Sequence, residues 1–226
     1  MDNSDREPRM NQVQPGYESA LGALRQFIRR KRDGERCELC SAEVATNHPH
    51  LIEPGTRKLL CACDACAILF SGMGTKYKRV PRRVLALADF CLSDGQWESL
   101  MVPINMAFFY RSTPDRRMVA LYPSPAGATE SLLPLETWKD IEDSNPVLRE
   151  MEADVEALLV NRIGHARGVS PAEYYVLPID QCFKLVGLIR ANWRGLSGGA
   201  EVWKEIGEFF AGLKHRATVG REEADA

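Results

Sequence analysis

Two cysteine-rich segments decide how the first part of this chain folds: CELC at residues 37–40 and CACDAC at residues 61–66. Together they contain five of the seven cysteines. The first 15 residues are polar and mixed in charge, so we do not expect a secretory signal there. Closely spaced Cys-x-x-Cys pairs in a chain without an export signal are typical of metal ligands rather than of disulfides. The two segments therefore predict a metal site.

The ligands that fit best are two matched pairs, Cys37 with Cys40 and Cys63 with Cys66. Each pair lies on a short turn, and four thiolates supply the tetrahedron that Zn²⁺ prefers, at about 2.3 Å per Zn–S bond. Four protein ligands leave no coordination position for water. We therefore expect this zinc to stabilise structure rather than to catalyse a reaction.

The residues around the pairs predict the rest of a small zinc module. Residues 50–53 and 57–60 flank Pro-Gly-Thr at residues 54–56 and are expected to form a β-hairpin. Residues 67–70 are apolar and long enough for one or two helical turns. A turn with two ligands, a hairpin and a ligand-bearing helix start are the parts of a treble-clef zinc finger. The sequence predicts a module of that kind.

Three further side chains are alternative or additional ligands: Cys61, His48 and His50. Strand alternation would turn Cys61 towards the same face as Cys63, where a nearby Zn²⁺ would lower the pKa of its thiol. If Cys61 is itself a ligand, an iron–sulfur cluster or a thiol redox centre becomes the alternative to zinc. We favour Cys61 as a neighbour of the metal, because the two pairs already fill a tetrahedron.

The order of turn, histidine, hairpin and second turn also resembles part of the HNH nucleases, in which a histidine at the start of the hairpin activates water. The ligating histidine or asparagine that completes their catalytic site is absent after Cys66. A zinc ion held by four cysteines would not bind phosphate. We therefore do not expect nuclease activity.

After the module, the hydrophobic pattern predicts a mixed α+β body of antiparallel strand pairs and helices. Strands are expected at residues 101–110, 117–122, 154–163 and 174–179, and a loop at residues 123–131. Helices are expected after Ser93, over residues 134–144, after Asp180 as a capping residue, and after the glycines at 198–199. The last two helices should pack on the strands through Trp193, Ile206 and Phe209. The two isolated cysteines, Cys91 and Cys182, should be buried.

The expected division of the chain follows from these segments. It comprises a disordered tail at 1–16, an N-terminal helix at 17–35, the zinc module at 36–70, a basic connector at 71–90, the α+β body at 91–215 and a tail at 216–226.

The charge of the chain is balanced overall but unevenly distributed. There are 29 Lys and Arg against 31 Asp and Glu, for a net charge of −2. Residues 1–90 carry 15 basic and 11 acidic side chains (net +4), with basic runs at 29–32 and 76–83. These runs allow a nucleic-acid contact, although solvated surface charge explains them as well. No apolar run approaches the roughly 18 residues of a membrane span, so we expect a cytoplasmic protein.

Several longer segments resemble one bacterial family of unknown function, whose members are encoded beside actinobacterial-type, high-affinity nickel–iron hydrogenases. The resemblance lies in residues 37–40, 61–70, 122–131, 154–162, 178–182 and 185–203. It covers most of residues 35–213. The C-terminal helix pair is similar to a second family from the same gene clusters. The resemblance implies a hydrogenase accessory role through protein contacts, without implying an activity.

The sequence therefore favours a non-catalytic zinc-binding accessory protein. Its expected partner is a nickel–iron hydrogenase or one of its maturation factors, with no membrane contact. An iron–sulfur or thiol redox protein using Cys61 is the first alternative, and a nucleic-acid-binding zinc protein is the second. We do not expect an enzyme, and nucleic acid is not the favoured partner.

Overall fold

The structure is a computed structural model that describes residues 34–72, 74–132 and 135–220. Most of the predicted helix at residues 17–35, and the basic run at 29–32, lie outside the described residues, as do residues 1–16 and 221–226. From Glu35 onward the described residues belong to one compact unit. That unit contains a small cysteine-rich module and a larger body.

The cysteine-rich module is a three-stranded antiparallel sheet with one short helix. Its elements are β1 (His50–Glu53), β2 (Lys58–Cys61), α1 (Asp64–Phe70) and β3 (Lys78–Arg79). Strands β1 and β2 form the predicted hairpin, and β3 pairs with the other edge of β1. Leu51, Leu60 and Ala67 are buried between the sheet and α1, beside two of the cysteines. The core of the module is too small to be stable without a further constraint.

The body is built on one mixed sheet of seven strands. In chain order these are β4 (Leu85–Leu87), β5 (Met106–Ser112), β6 (Arg117–Ser124), β7 (Gly127–Ser131), β8 (Glu156–Asn161), β9 (Glu173–Pro178) and β10 (Thr218–Gly220). Their order in the sheet is β10-β4-β9-β8-β5-β6-β7. Neighbouring strands are antiparallel except β10 and β4, which are parallel.

Helices cover both faces of this sheet. They are α2 (Asp94–Ser99), α3 (Leu135–Ser144), a 3₁₀ helix (Pro146–Glu150), α4 (Ile163–Ala166), α5 (Ile179–Asn192) and α6 (Gly199–Arg216). Successive residues of β5 point to opposite faces. Phe108 lies among residues of α5 and α6, whereas Phe109 stacks on Trp138 of α3 at a ring-centroid distance of 5.2 Å. The central strands are therefore buried on both sides, which explains their continuous apolar sequence.

The α+β class and the antiparallel strand pairs are confirmed, since β5 pairs with β6 and β8 with β9. One prediction about the strands is wrong. Residues 123–131 are not a loop, because β6 continues to Ser124 and β7 returns beside it, with Ser124 paired to Gly127. Two residues connect the strands, and Gly127 takes a φ of 128°, which glycine adopts without strain. Strand β7 is small and polar in sequence, so it lacks the hydrophobic alternation that would have predicted it.

The C-terminal helices pack as predicted, although unequally. Ile206 and Phe209 are buried, while Trp193 is only partly buried at the edge of the same cluster. The reversal between the helices brings Gly198 so close to Trp193 that a Cβ atom there would lie 3.1 Å from the indole ring. The expectation for the isolated cysteines is half right, because Cys182 is buried but Cys91 is exposed on the loop before α2.

The segment between module and body is held to the sheet by ion pairs. Lys78 lies 2.7 Å from the carboxylate of Asp154, and Arg83 donates to Glu156 at 2.8 Å. Both carboxylates are almost completely buried, with side-chain exposures of 2% and 1%. Buried carboxylates are costly to leave unpaired. These pairs therefore contribute to fixing the module against the body.

In the part of the chain that the structure describes, every helix is too short or too polar to cross a lipid bilayer.

Candidate metal centre

The first pair of predicted ligands lies on a tight turn. The Ser41 N–H donates to the Cys37 carbonyl and the Cys37 N–H donates to the Ala42 carbonyl, each at 2.8 Å. Ser41 takes a left-handed backbone conformation with a φ of 64°. The turn folds the chain back immediately after Cys40, so that both thiols face the start of α1.

The second pair lies at the N-terminus of α1. Cys63 is the N-cap residue, and its Sγ accepts a hydrogen bond from the Cys66 N–H at 3.5 Å. Amide groups at a helix start favour the thiolate form of a nearby cysteine. The Ala67 N–H also bonds the Cys63 carbonyl, so the pair is fixed by the first turn of the helix.

The two turns bring four sulfur atoms together. The Sγ atoms of Cys37, Cys40, Cys63 and Cys66 all lie within 4.8 Å of one another, and those of Cys40 and Cys63 are 3.7 Å apart. In a tetrahedron with Zn–S bonds of about 2.3 Å, the sulfur atoms are separated by about 3.8 Å. The four-thiol group could therefore hold a metal ion such as zinc.

The acidities of these thiols differ widely. Burial opposes ionisation of Cys37, but backbone N–H groups of Cys63, Cys40 and Leu39 outweigh it and lower the pKa of Cys37 to about 6. For Cys66, burial and hydrogen bonding with the other three thiols raise the pKa to about 12. Thiols packed this closely cannot all ionise without a cation between them, because each thiolate repels the next.

Cys61 does not join the four-thiol group. Strand β2 ends at Cys61, and Cys63, two residues later, is the N-cap residue of α1. Burial, with the negative charges of Glu35 and Glu38, raises the pKa of the Cys61 thiol. The lowered pKa predicted for Cys61 depends on a zinc ion beside the thiol and stays a prediction.

Cys61 lies instead with the two histidines. One ring nitrogen of His48, one of His50 and the Sγ of Cys61 lie within 4.8 Å of one another. His50 and Cys61 are directly paired across the hairpin, and their side chains project from the same face of it. From the sequence, His48, His50 and Cys61 were alternative ligands of a single metal. In the structure they lie together as a group separate from the four thiols.

Asp180, which contacts this group, does not have the helix-capping role that the sequence predicted. The predicted helix cap at Asp180 is absent: α5 begins at Ile179, and its N-cap residue, Pro178, makes no side-chain cap. The Asp180 carboxylate accepts a hydrogen bond from His50 Nδ1 at 2.6 Å. This bond outweighs burial and raises the pKa of His50. An acidic residue in the first turn of a helix is equally typical of helix-dipole stabilisation, so the sequence pattern did not indicate this contact.

Residues 36–217 match a family described as "Family of unknown function (DUF5947)". The chain belongs to this family. No curated protein and no solved structure matches the chain. The match covers the cysteine-rich module and the body up to the residue before β10, so both parts lie in one matched region.

Proposed function

We propose that this protein is a non-catalytic, cytoplasmic accessory protein whose four-thiol group binds zinc in a module of the treble-clef type. It acts through protein contacts, with a nickel–iron hydrogenase or one of its maturation factors as the partner. The partner is suggested by the sequence resemblance to a family encoded beside such hydrogenases.

The observation that supports this proposal is the combination of a closed metal site with an exposed apolar surface on the same helix. Four thiolates complete the coordination of zinc and leave no position for a substrate. Cys66 faces the metal group from one side of α1. On the other side, Ile68 and Leu69 are 69% and 72% exposed, followed by the less exposed Phe70. Neighbouring exposed apolar side chains are typical of protein-binding surfaces.

Two alternatives receive less support. An iron–sulfur or thiol redox centre that used Cys61 would need this thiol beside the four others. Cys61 lies beside His48 and His50 instead. A nucleic-acid surface over residues 76–83 needs free cations, yet three of them are paired with carboxylates: Lys76 with Glu53, Lys78 with Asp154 and Arg83 with Glu156. Paired cations offer little to phosphate groups.

The test is co-purification of tagged full-length protein with the nickel–iron hydrogenase of the same organism. We expect the wild type to retain the hydrogenase or a maturation factor, and the double substitution Ile68→Asp and Leu69→Asp to lose it while keeping its zinc. Leu196→Asp is the matched control, since Leu196 is fully exposed on the reversal between α5 and α6. Equal recovery with both variants would show that α1 is not the contact surface. Absence of hydrogenase components from the wild-type sample would contradict the proposed partner.

A further inference from the structure

We propose that His48, His50 and Cys61 form a second zinc site, separate from the four-thiol group. Its ligands are Nε2 of His48, Nε2 of His50 and Sγ of Cys61. This site extends the proposed function but does not depend on it, because none of its ligands belongs to the four-thiol group.

The hairpin places the three ligands on one face. His50 and Cys61 are opposite each other in the β1–β2 register, and His48 precedes His50 by two residues. The two imidazole rings meet edge to face, with centroids 4.8 Å apart. The Ala62 N–H bonds the Pro49 carbonyl at 3.0 Å, which extends the pairing beyond the strand ends and fixes both segments.

Each histidine is oriented by a hydrogen bond at its other nitrogen. His48 Nδ1 lies 2.7 Å from the Ala45 carbonyl, and His50 Nδ1 lies 2.6 Å from the Asp180 carboxylate. A carbonyl or carboxylate partner requires that Nδ1 carry the proton in the neutral ring, which leaves the Nε2 lone pair free. Metal-binding histidines almost always have this arrangement, in which the second nitrogen donates to a carboxylate or a backbone carbonyl.

The free nitrogen of His48 is the observation that requires a ligand. The side chain of His48 is only 5% exposed, and its Nε2 is buried with no hydrogen-bond partner. A buried polar atom without a hydrogen-bond partner destabilises the folded protein. A metal ion bound between His48, His50 and Cys61 would satisfy it.

The ligand set favours zinc and leaves one coordination position open. Two imidazoles and one thiolate are ligands that Zn²⁺ accepts, and three protein ligands are typical of zinc sites that keep a place for water or another molecule. Both histidines line a cleft of about 550 Å³ between the module and α5, where the cations of Arg82, Lys184 and Arg216 outnumber the carboxylates of Glu35 and Asp180. A small anion is therefore the class of ligand that this fourth position would take.

The experiment is zinc and cobalt titration of the full-length protein under reducing conditions. We expect two equivalents of Zn²⁺ in the wild type and one in Cys61→Ser and in His50→Ala. Cys91→Ser, which removes an exposed thiol outside both groups, should retain two. With Co²⁺, the thiolate charge-transfer absorption added at this site should be about one quarter of that of the four-thiol site, because one thiolate replaces four. A wild-type protein that saturates at one equivalent, or a Cys61→Ser variant that retains two, would overturn the proposal.

Asp180→Asn tests the site without removing a ligand. Loss of the carboxylate that orients His50 should weaken the second equivalent of Zn²⁺ by about 10–100-fold and leave the first unchanged. If Asp180 only attaches α5 to the module, the substitution would lower the melting temperature while both affinities stay at their wild-type values. That result would contradict the proposed role of Asp180, and together with two retained equivalents in His50→Ala it would exclude the site.

Discussion

The four-thiol group and the group of His48, His50 and Cys61 lie in the same module, but the fold assembles them in different ways. All four thiols come from two local turns within residues 37–66, and no residue of the body is needed to align them. The second group needs the hairpin register, and one of its imidazoles is oriented by Asp180, 130 residues further along the chain. The proposed coordination differs as well, because four thiolates would close the first site, whereas the histidines of the second line a cleft. We therefore expect the first site to stabilise the module and the second to depend on the packing of the module against the body.

The largest expected effect is at the four-thiol group. Cys66→Ser should release the first zinc and unfold the module, because structural zinc contributes on the order of 10 kcal/mol to domains of this size. Unfolding of the hairpin should also release zinc from the site of His48, His50 and Cys61. In contrast, His50→Ala should leave zinc at the four-thiol site. Metal content and hydrogen exchange over residues 36–70 measure both effects. Cys91→Ser is the control, and unchanged exchange in Cys66→Ser would show that the module does not depend on its metal.

The difference in assembly also explains what could be predicted from sequence. The four thiols were identifiable because two Cys-x-x-Cys turns form a metal site with little help from the rest of the fold. The hairpin was equally visible, since a Pro-Gly turn divides two apolar runs. Cys61 was left out of the four-thiol ligand set on the same argument, since two matched pairs already fill a tetrahedron. Its position beside the histidines depends on the hairpin register, which pairs Cys61 with His50.

Other features could not be derived because they depend on distant partners. The contact between Asp180 and His50 exists only when α5 packs beside the hairpin. Strand β4 is three residues long and becomes a strand only between β9 and β10, which both come much later in the chain. By contrast, the helix after Ser93 was correctly predicted, since its capping box with Gln96 is formed by neighbouring residues.

A medium-sized effect is expected where the module is attached to the body. Arg83→Ala leaves the buried Glu156 without its cation. Removing one member of a buried pair costs 3–5 kcal/mol. Because Arg83 itself is half exposed, we expect about 2–3 kcal/mol, which lowers the melting temperature by roughly 5–10 °C. The four-thiol site should keep its zinc.

The matched control for this attachment is Arg149→Ala. Arg149 pairs with Asp143 at 2.6 Å, but both side chains are 55% exposed. An exposed pair contributes about 0–1 kcal/mol, so the melting temperature should change little. Equal destabilisation by the two substitutions would mean that the pair of Arg83 and Glu156 does not attach the module. Thermal unfolding followed by circular dichroism measures the difference.

The smallest expected effect is at Glu38, a side chain that links the two groups. Glu38 lies between Cys37 and Cys40 in the first turn, and its carboxylate accepts the Cys61 N–H at 2.8 Å. Its own N–H donates to the Cys61 carbonyl at the same distance. Glu38→Ala removes the carboxylate and retains this second bond. The lost bond is exposed, so we expect a cost of about 0.5–1 kcal/mol, or a roughly 2–5-fold loss in zinc affinity.

How the loss of zinc affinity in Glu38→Ala is divided between the two sites tests whether they are coupled. If the two groups are coupled through the turn, Glu38→Ala should weaken both equivalents of Zn²⁺ measured by competition with a chromophoric chelator. Glu43→Ala is the control, since it removes the same charge from the module at a side chain that pairs with Arg36 and is 80% exposed. A loss confined to the second equivalent would mean that Glu38 only positions Cys61. Equal losses in Glu38→Ala and Glu43→Ala would mean that net charge, rather than the hydrogen bond, sets the affinity, and the two groups would then be independent.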